Sequence, residues 1–482
     1  MSVNAQLARL AERLFSGSSC EDLIASAVVE DRTQQAAQRA REMIGSEGAA
    51  LSEKIWRSMR RSLAESLAWL LLFRVPHHIL QVSIDSWIDA QCEMLRRLAA
   101  DRAEIETRFG AGAGQLVSLD LALSDRHSGG RAVASVAFDS GLKIVYKPRD
   151  LGIENWFTAF LASLNELGAP LPFRALHVIA GPGYGWTEFA SCTRCRDESE
   201  LKSFYRNAGA LLCLLHLLCA TDCHFENLVA CGENPVFVDA ETCFQPSLAA
   251  GGEAISVLRT GMLPRPALLL SPAAIPAPDL GALSSLTPQS LPVPIPGLDI
   301  AGGHLEEAVL TPGPNIPFPP GHELNPQAYV EEMIEGFCQT WRFVARHRGT
   351  ILPMIASAAS KSVRYVFRDT LSYYQSIVAA LSMSNLDGAA LPPLTGARSV
   401  FTPLEERERL ALRQLDIPRF TLRADDTGLE NVAKCFPLSG LELARRNLTS
   451  MSDEEMEKQA GILRVSWGFY GAAKSLAQLS NQ

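Results

Sequence analysis

The sequence predicts an α+β fold, with a small β-sheet lobe followed by a helical lobe and further helical elements at both ends of the chain. Three observations predict it. Apolar residues recur every three or four positions over residues 1–115 and again over 328–482, the period of an amphipathic helix. Between residues 116 and 200 the period falls to two, and turn residues punctuate the runs as they do in hairpins. Between these regions, residues 201–245 contain TDCHFENLVACGENPVFVDAET (221–242), in which acids, an amide and a histidine flank a short apolar strand.

In the first region, LAESLAWLLLF (63–73) and SWIDAQCEMLRRLAADRAEIETRF (86–109) read as amphipathic helices with a scaffolding role. His77 and His78 lie in a connector and carry no expected chemistry. The β region opens at Leu116. RAVASVAF (131–138) alternates, Asp139-Ser140-Gly141 turns the chain, and LKIVYK (142–147) alternates back. Ahead of this hairpin lies SDRHSGGR (124–131). Glycines at Gly129 and Gly130 would let backbone N–H groups approach phosphate oxygens, so the segment is a candidate lid over a nucleotide, although most Gly-Gly pairs are plain turns.

Lys147 ends the second strand, where a kinase lysine reaches the nucleotide phosphates. ENWFTAFLASLNEL (154–167) then supplies a helix, and Glu154 is one acid available to steady Lys147. RALHVIAG (174–181) and YGWTEF (184–189) form a second hairpin, expected to bring Trp186–Phe189 near an adenine. SFYRNAGALLCLLHLLCA (203–220) is an apolar helix delivering the next loop, and His216 within it reads as a core histidine with its hydrogen bonds made.

In kinase catalytic loops the base Asp precedes a metal-binding Asn by five positions, as Asp222 precedes Asn227. A second metal-binding Asp ends the following strand, as Asp239 does. Glu241 follows and joins the candidate metal set. A lone Asp is usually a solvated loop residue; the ordered series Asp222, His224, Asn227, Asp239, Glu241 is far more specific.

Residues 246–327 hold 16 of the 28 prolines, too many for a helix or central strand. This is read as a long irregular insertion in the position of a kinase activation segment, with an interdomain linker as the alternative. Helical periodicity returns in AYVEEMIEGFCQTWRFVARHRGTIL (328–352). KSVRYVFRDTLSYYQSIVAAL (361–381) is expected to bring Arg364, Arg368 and Thr370 together, two guanidiniums and a hydroxyl suited to a phosphate monoester. Another amphipathic helix follows at 454–479.

Composition limits the partners. A net charge of −9 argues against nucleic acid. The N-terminus lacks a signal-peptide pattern, and the most apolar run, 210–220, is about half the ~20 residues that cross a bilayer, so a cytoplasmic chain without a membrane span is expected. The eleven cysteines offer a single C-x-x-C, Cys192–Cys195, without the second pair that a structural zinc site needs. Idle thiols are the reading.

The motifs SDRHSGGRAV, KIVYKPRDL, YGWTEF, FYRNAGALLCLLHLLCATDCHFENLVACGENPVFVDAET, VRYVFRDT and LDIPRF (415–420), taken in order, resemble the dehydratase half of class II lanthipeptide synthetases, the LanM family, from about Ala68 onward. The resemblance implies a lipid-kinase-like bilobal fold. It also implies an enzyme that phosphorylates Ser and Thr of a precursor peptide from ATP with Mg2+, then eliminates phosphate to give dehydroalanine or dehydrobutyrine. Lys147 would hold the nucleotide, with Gly129, Gly130, Arg131 and Arg149 beside it. Asp222 would be the base, supported by His224, with Asn227 and Asp239 on magnesium. Asp125 and His127 would line the same site, and Arg364 and Thr370 would serve elimination. Two departures are visible: Asp369 stands where the family has Pro, and the family's zinc-binding cyclase is not expected after Cys435, so either a separate cyclase closes the rings or the dehydro residues stay uncyclised. Alternatives are a phosphotransferase that stops at the phosphate, or an inactive leader-peptide-binding scaffold.

Overall fold

The structure, a computed structural model, describes residues 27–45, 51–72, 75–110, 112, 114–121, 123–248, 256–264, 279–293, 306–382 and 391–480. It is mixed α+β. Helices α1 (Ala27–Ile44), α2 (Glu53–Leu72), α3 (His77–Ala100) and α4 (Arg102–Phe109) precede β1 (Leu116–Asp120), β2 (Ala134–Phe138) and β3 (Lys143–Lys147). Helix α5 (Gly152–Glu166) then leads to β4 (Val178–Gly181) and β5 (Tyr184–Glu188). The five strands form one sheet in the order β1-β2-β3-β5-β4, antiparallel throughout.

Alternation gives the sheet two faces with different tasks. Val136, Ile144, Tyr146 and Trp186 are buried in a core that includes Trp56, Leu63, Ile84 and Ile88 of α2 and α3. The opposite face carries Ser135, Val145, Lys147 and Thr187, with Val145 paired to Thr187 and Lys147 to Gly185. Trp186 is therefore fully buried on the face away from Lys147, and its indole N–H donates to Asp101 at 2.8 Å. The expected adenine contact by Trp186 is corrected on this point. Asp101 also breaks the 86–109 helix in two, because its carboxylate accepts from both Trp186 and Tyr184.

The helical part begins with α6 (Glu198–Leu217), capped by Asp197, which accepts from the Glu200 N–H at 3.0 Å. After the hairpin β6–β7 (Leu228–Cys231, Asn234–Phe237) and the hairpin β8–β9 (Gln289–Val293, Glu306–Leu310) come α7 (Val330–Arg346) and α8 (Arg348–Ala356), separated at His347. Strand β10 (Ser362–Tyr365), α9 (Thr370–Ser382), α10 (Glu405–Arg413), β11 (Phe420–Arg423), α11 (Gly440–Thr449) and α12 (Asp453–Ser480) complete it. Residues of α5, α6, α7, α8, α11 and α12 share a second core.

Segment 246–327 is more ordered than its proline content suggests. Its described parts contribute Val257, Met262, Leu263, Ala282, Leu283 and Phe318 to the second core, so the linker reading does not hold for them. They also grip the 221–227 loop: Cys223 N–H donates to Thr260 O at 2.8 Å and Phe225 N–H to Leu280 O at 3.2 Å. Stretches 249–255, 265–278 and 294–305 lie outside the described residues, as does the N-terminal sequence to residue 26. Among the described residues no helix is long and apolar enough to cross a membrane, and the described cysteines are free thiols.

Helices α6 and α7 meet through Gly209 and Gly336. A Cβ on Gly209 would lie 1.8 Å from the Met333 carbonyl oxygen, and one on Gly336 would lie 1.8 Å from that of Arg206. No side chain can yield there because the obstruction is backbone. Gly209→Ala is expected to force the helices apart and lower stability by about 3 kcal/mol, at the upper end for overpacking. Urea unfolding checks it; an unchanged midpoint would mean that the crossing is looser than this.

Candidate active site

The 221–242 segment folds on itself so that its polar residues meet. Thr221 N–H donates to Thr242 O at 3.1 Å, closing the base of the loop. Strands β6 and β7 pair Leu228 with Phe237, turning at Gly232 (φ 60°), and Val238 N–H donates to Asn227 O at 3.0 Å. Asn227 is thereby set beside Asp239. Asp222 has a left-handed backbone (φ 58°), unusual for a residue with a side chain. Asn227 holds it there, with Nδ2 donating to the Asp222 carbonyl at 2.8 Å. His224 Nδ1 accepts from Glu226 N–H at 3.3 Å, and its Nε2 lies 3.3 Å from Asn227 Nδ2 and 3.8 Å from Asp222 Oδ1.

Lys147 reaches this loop from the sheet. Its ammonium donates to Val238 O at 2.6 Å and lies 3.9 Å from Glu154 on α5. Arg149, two residues on, is deeply buried and binds three acids: Glu154, Asp239 at 2.7 Å and Glu241 at 3.0 Å. Burial alone would lower its pKa; the carboxylates of Asp239, Glu154 and Glu241 outweigh that and raise it. Glu241 also accepts from Arg364 at 3.0 Å and from Arg419 at 2.9 Å. Although burial opposes its charge, these three guanidiniums hold its carboxyl well below the ordinary range.

This bears on the metal set. Asp239 Oδ1 accepts from Arg149 and from the Glu241 N–H, leaving Oδ2; Asn227 Nδ2 is spent on Asp222, leaving Oδ1. Both oxygens of Glu241 accept from arginines, so the carboxylate serves as their counter-charge here. Among the described residues no three His, Cys, Asp or Glu side chains are grouped to hold a metal ion. One carboxylate and one amide oxygen still suit magnesium, which completes its shell from phosphate and water.

The loop before β2 closes the other side. Asp125 Oδ1 accepts from the buried Tyr374 hydroxyl at 2.6 Å, and burial raises its pKa. His127 Nδ1 lies 2.6 Å from Ile417 O and donates to it, so Nε2 carries the free lone pair; burial pushes its pKa down to about 3, so the ring is neutral at physiological pH. Asp222 likewise has its pKa raised, first by burial and then by Asp239 and Glu241, against the pull of His224 and Arg364.

Other expected residues sit differently. The N–H groups of Gly129 and Gly130 both end on the Asp416 carboxylate, so they are not open to a phosphate, and Arg131 is turned to Glu93. Arg368 is not beside Arg364 on one helix, because residues 362–365 form β10; it makes a pair with the fully buried Glu408 at 2.8 Å, which also accepts from Tyr373. Thr370 opens α9, and Asp369 caps that helix, accepting from Ser372 N–H at 2.8 Å. The departure at Asp369 is thus a helix cap. Tyr374 lies one turn beyond Thr370, a spacing that the sequence offered. Arg419 and Asp416 belong to a quoted motif but have no spacing rule that marks their roles. His216 is buried against Trp341, although its Nδ1 has no hydrogen-bond partner, unlike the expectation.

Comparisons with known proteins agree with the extent of these motifs. A family model described as a domain of unknown function (DUF4135) matches residues 75–423. The lacticin 481/lactococcin biosynthesis protein LcnDR2 of Lactococcus lactis subsp. lactis is 25% identical over 434 residues, covering 82% of this chain and 46% of that protein. The chain thus spans about half the length of this relative.

Glu241→Gln tests the ion cluster. Removing the charge strands Arg364 and Arg419 and takes one of three acids from Arg149, and a loss of about 3–5 kcal/mol is expected at neutral pH. Because the folded pKa of Glu241 is depressed, its stabilisation is complete above the ordinary value of 4.5 and fades only as pH falls through the lower folded value. Urea titrations of both proteins should show a stability gap constant from neutral pH to about 4.5 that narrows below it. A gap already closing near neutral pH would contradict the assignment.

Proposed function

The chain belongs to the DUF4135 family, and from that premise, with its relation to a lacticin 481/lactococcin biosynthesis protein, we propose that it acts in lanthipeptide biosynthesis as an ATP-dependent dehydratase of Ser and Thr in a precursor peptide. The observation that carries this reading is the shared carboxylate of Glu241. Through it Arg149, beside the proposed nucleotide side, is joined to Arg364, on the proposed elimination side. Two chemistries performed in sequence on one side chain need such adjoining groups.

The arrangement of the sheet and the helical part would correspond to the two lobes of a lipid-kinase-like fold. Lys147, steadied by Glu154, would hold the nucleotide phosphates. Asn227 Oδ1 and Asp239 Oδ2 would hold magnesium, which when bound neutralises charge on the phosphates. Asp222 takes the proton of the attacking hydroxyl, and its raised pKa brings it closer to the working pH of a general base. His224 orients it. After phosphorylation, Arg364 and Thr370 hold the phosphate monoester while a base on the Asp125 and His127 side takes the Cα proton; its electron pair forms the C=C bond as the C–O bond breaks and phosphate departs.

Co-expression with short Ser/Thr/Cys-containing peptides from neighbouring genes, followed by mass spectrometry, tests the reading. Loss of one water per modified residue is expected; phosphate adducts that persist would mark a phosphotransferase instead. Asp222→Asn should cut phosphorylation roughly 100-fold or more, and near-normal activity would remove Asp222 from the role. Arg364→Ala should accumulate phosphopeptide, whereas a fully dehydrated product would show that the phosphate is held elsewhere.

A further inference from the structure

Phosphate held by a single arginine is poorly fixed, and Arg368 is withdrawn to Glu408. A second guanidinium nevertheless stands beside Arg364. Arg364 and Arg419 occupy opposite oxygens of one carboxylate, Arg364 Nη1 on Glu241 Oε1 at 3.0 Å and Arg419 Nη2 on Oε2 at 2.9 Å. The strands bring them together, since β10 pairs with β11, Arg364 faces Thr421, and Arg419 directly precedes β11.

The three arginines around Glu241 are not equivalent. Arg149 is consumed by three carboxylates. Arg419 bonds Glu241 through Nη2, and its Nε is buried without a hydrogen-bond partner. A guanidinium has five N–H donors, and a buried one left unused is costly unless a ligand takes it. His127 is close enough for both Arg364 and Arg419 to depress its pKa after burial does.

We propose that Arg419 is the second arginine of the clamp that holds the phosphate of a phosphorylated Ser or Thr side chain, acting with Arg364 and Thr370 and drawing on the donors that Glu241 leaves unspent. Glu241 sets the two guanidiniums at the spacing of a two-oxygen anion. This assignment rests on the dehydratase reading for its substrate class, but the anion site can be probed without turnover.

The probe is N-acetyl-O-phosphoserine amide, titrated calorimetrically into the nucleotide-free and metal-free full chain at low salt. Wild type should bind it, Arg419→Ala should weaken binding tenfold or more, and Arg419→Lys should weaken it less, because charge remains while the fork is lost. Far-UV circular dichroism with a cooperative thermal unfolding transition in both variants shows that they fold. Wild-type affinity in Arg419→Ala, or no binding by wild type, overturns the clamp. ADP formation with a precursor peptide is measured separately: the clamp failing while ADP forms leaves the dehydratase reading standing, and phosphoserine binding through Arg419 without ADP formation does the reverse.

Discussion

The structure depends on one buried carboxylate. Glu241 meets Arg149 from the segment after β3, Arg364 from β10 and Arg419 from the residue before β11. Three guanidiniums packed together at low exposure would repel one another and lack solvation; with a shared counter-charge their mutual position is fixed instead. The same carboxylate belongs to the short turn that carries Asp239, so the proposed metal ligand and the three arginines are located by a single balance of charge. The shifted pKa values of Asp222, Arg149 and His127 follow from burial and from this crowd of charges.

Much of this was legible where local pattern determines structure. The alternation of 131–147 and 174–189 gave four strands of the sheet, and the Asp222–Asn227–Asp239 spacing survives as a hairpin whose hydrogen bonds bring Asn227 to Val238. Local pattern failed where a tertiary partner decides. Periodicity could not show that Asp101 would be drawn to Tyr184 and Trp186 and interrupt a helix, nor that residues 362–365 would pair with 420–423. That strand pairing separates Arg364 from Arg368 and supplies Arg419 from more than fifty positions away. Proline density misled for a similar reason: the insertion forms little regular structure, yet it buries apolar side chains and donates carbonyls to the 221–227 loop.

Segment 416–419 shows how a few residues can organise the side of the site where no motif rule applies. Asp416 accepts both glycine N–H groups of the 124–131 loop, the next carbonyl, that of Ile417, fixes the His127 proton on Nδ1, and Arg419 follows after Pro418. Proline restricts the backbone of both itself and Ile417, so the three contacts move together. The loop in turn hands Asp125 to Tyr374 on α9. Tyr373, Tyr374 and Ile377 of that helix lie in the core shared with the sheet, whereas Val363 and Phe367 just before it lie in the other core. Thr370 therefore sits at the joint, at a helix N-terminus capped by Asp369, where the backbone field favours an anion. Any shift of one core against the other would change the separation between the hydroxyl of Thr370 and the guanidinium of Arg364. The ionic pairing at Glu241 and the Asp416 latch resist such a shift from both sides.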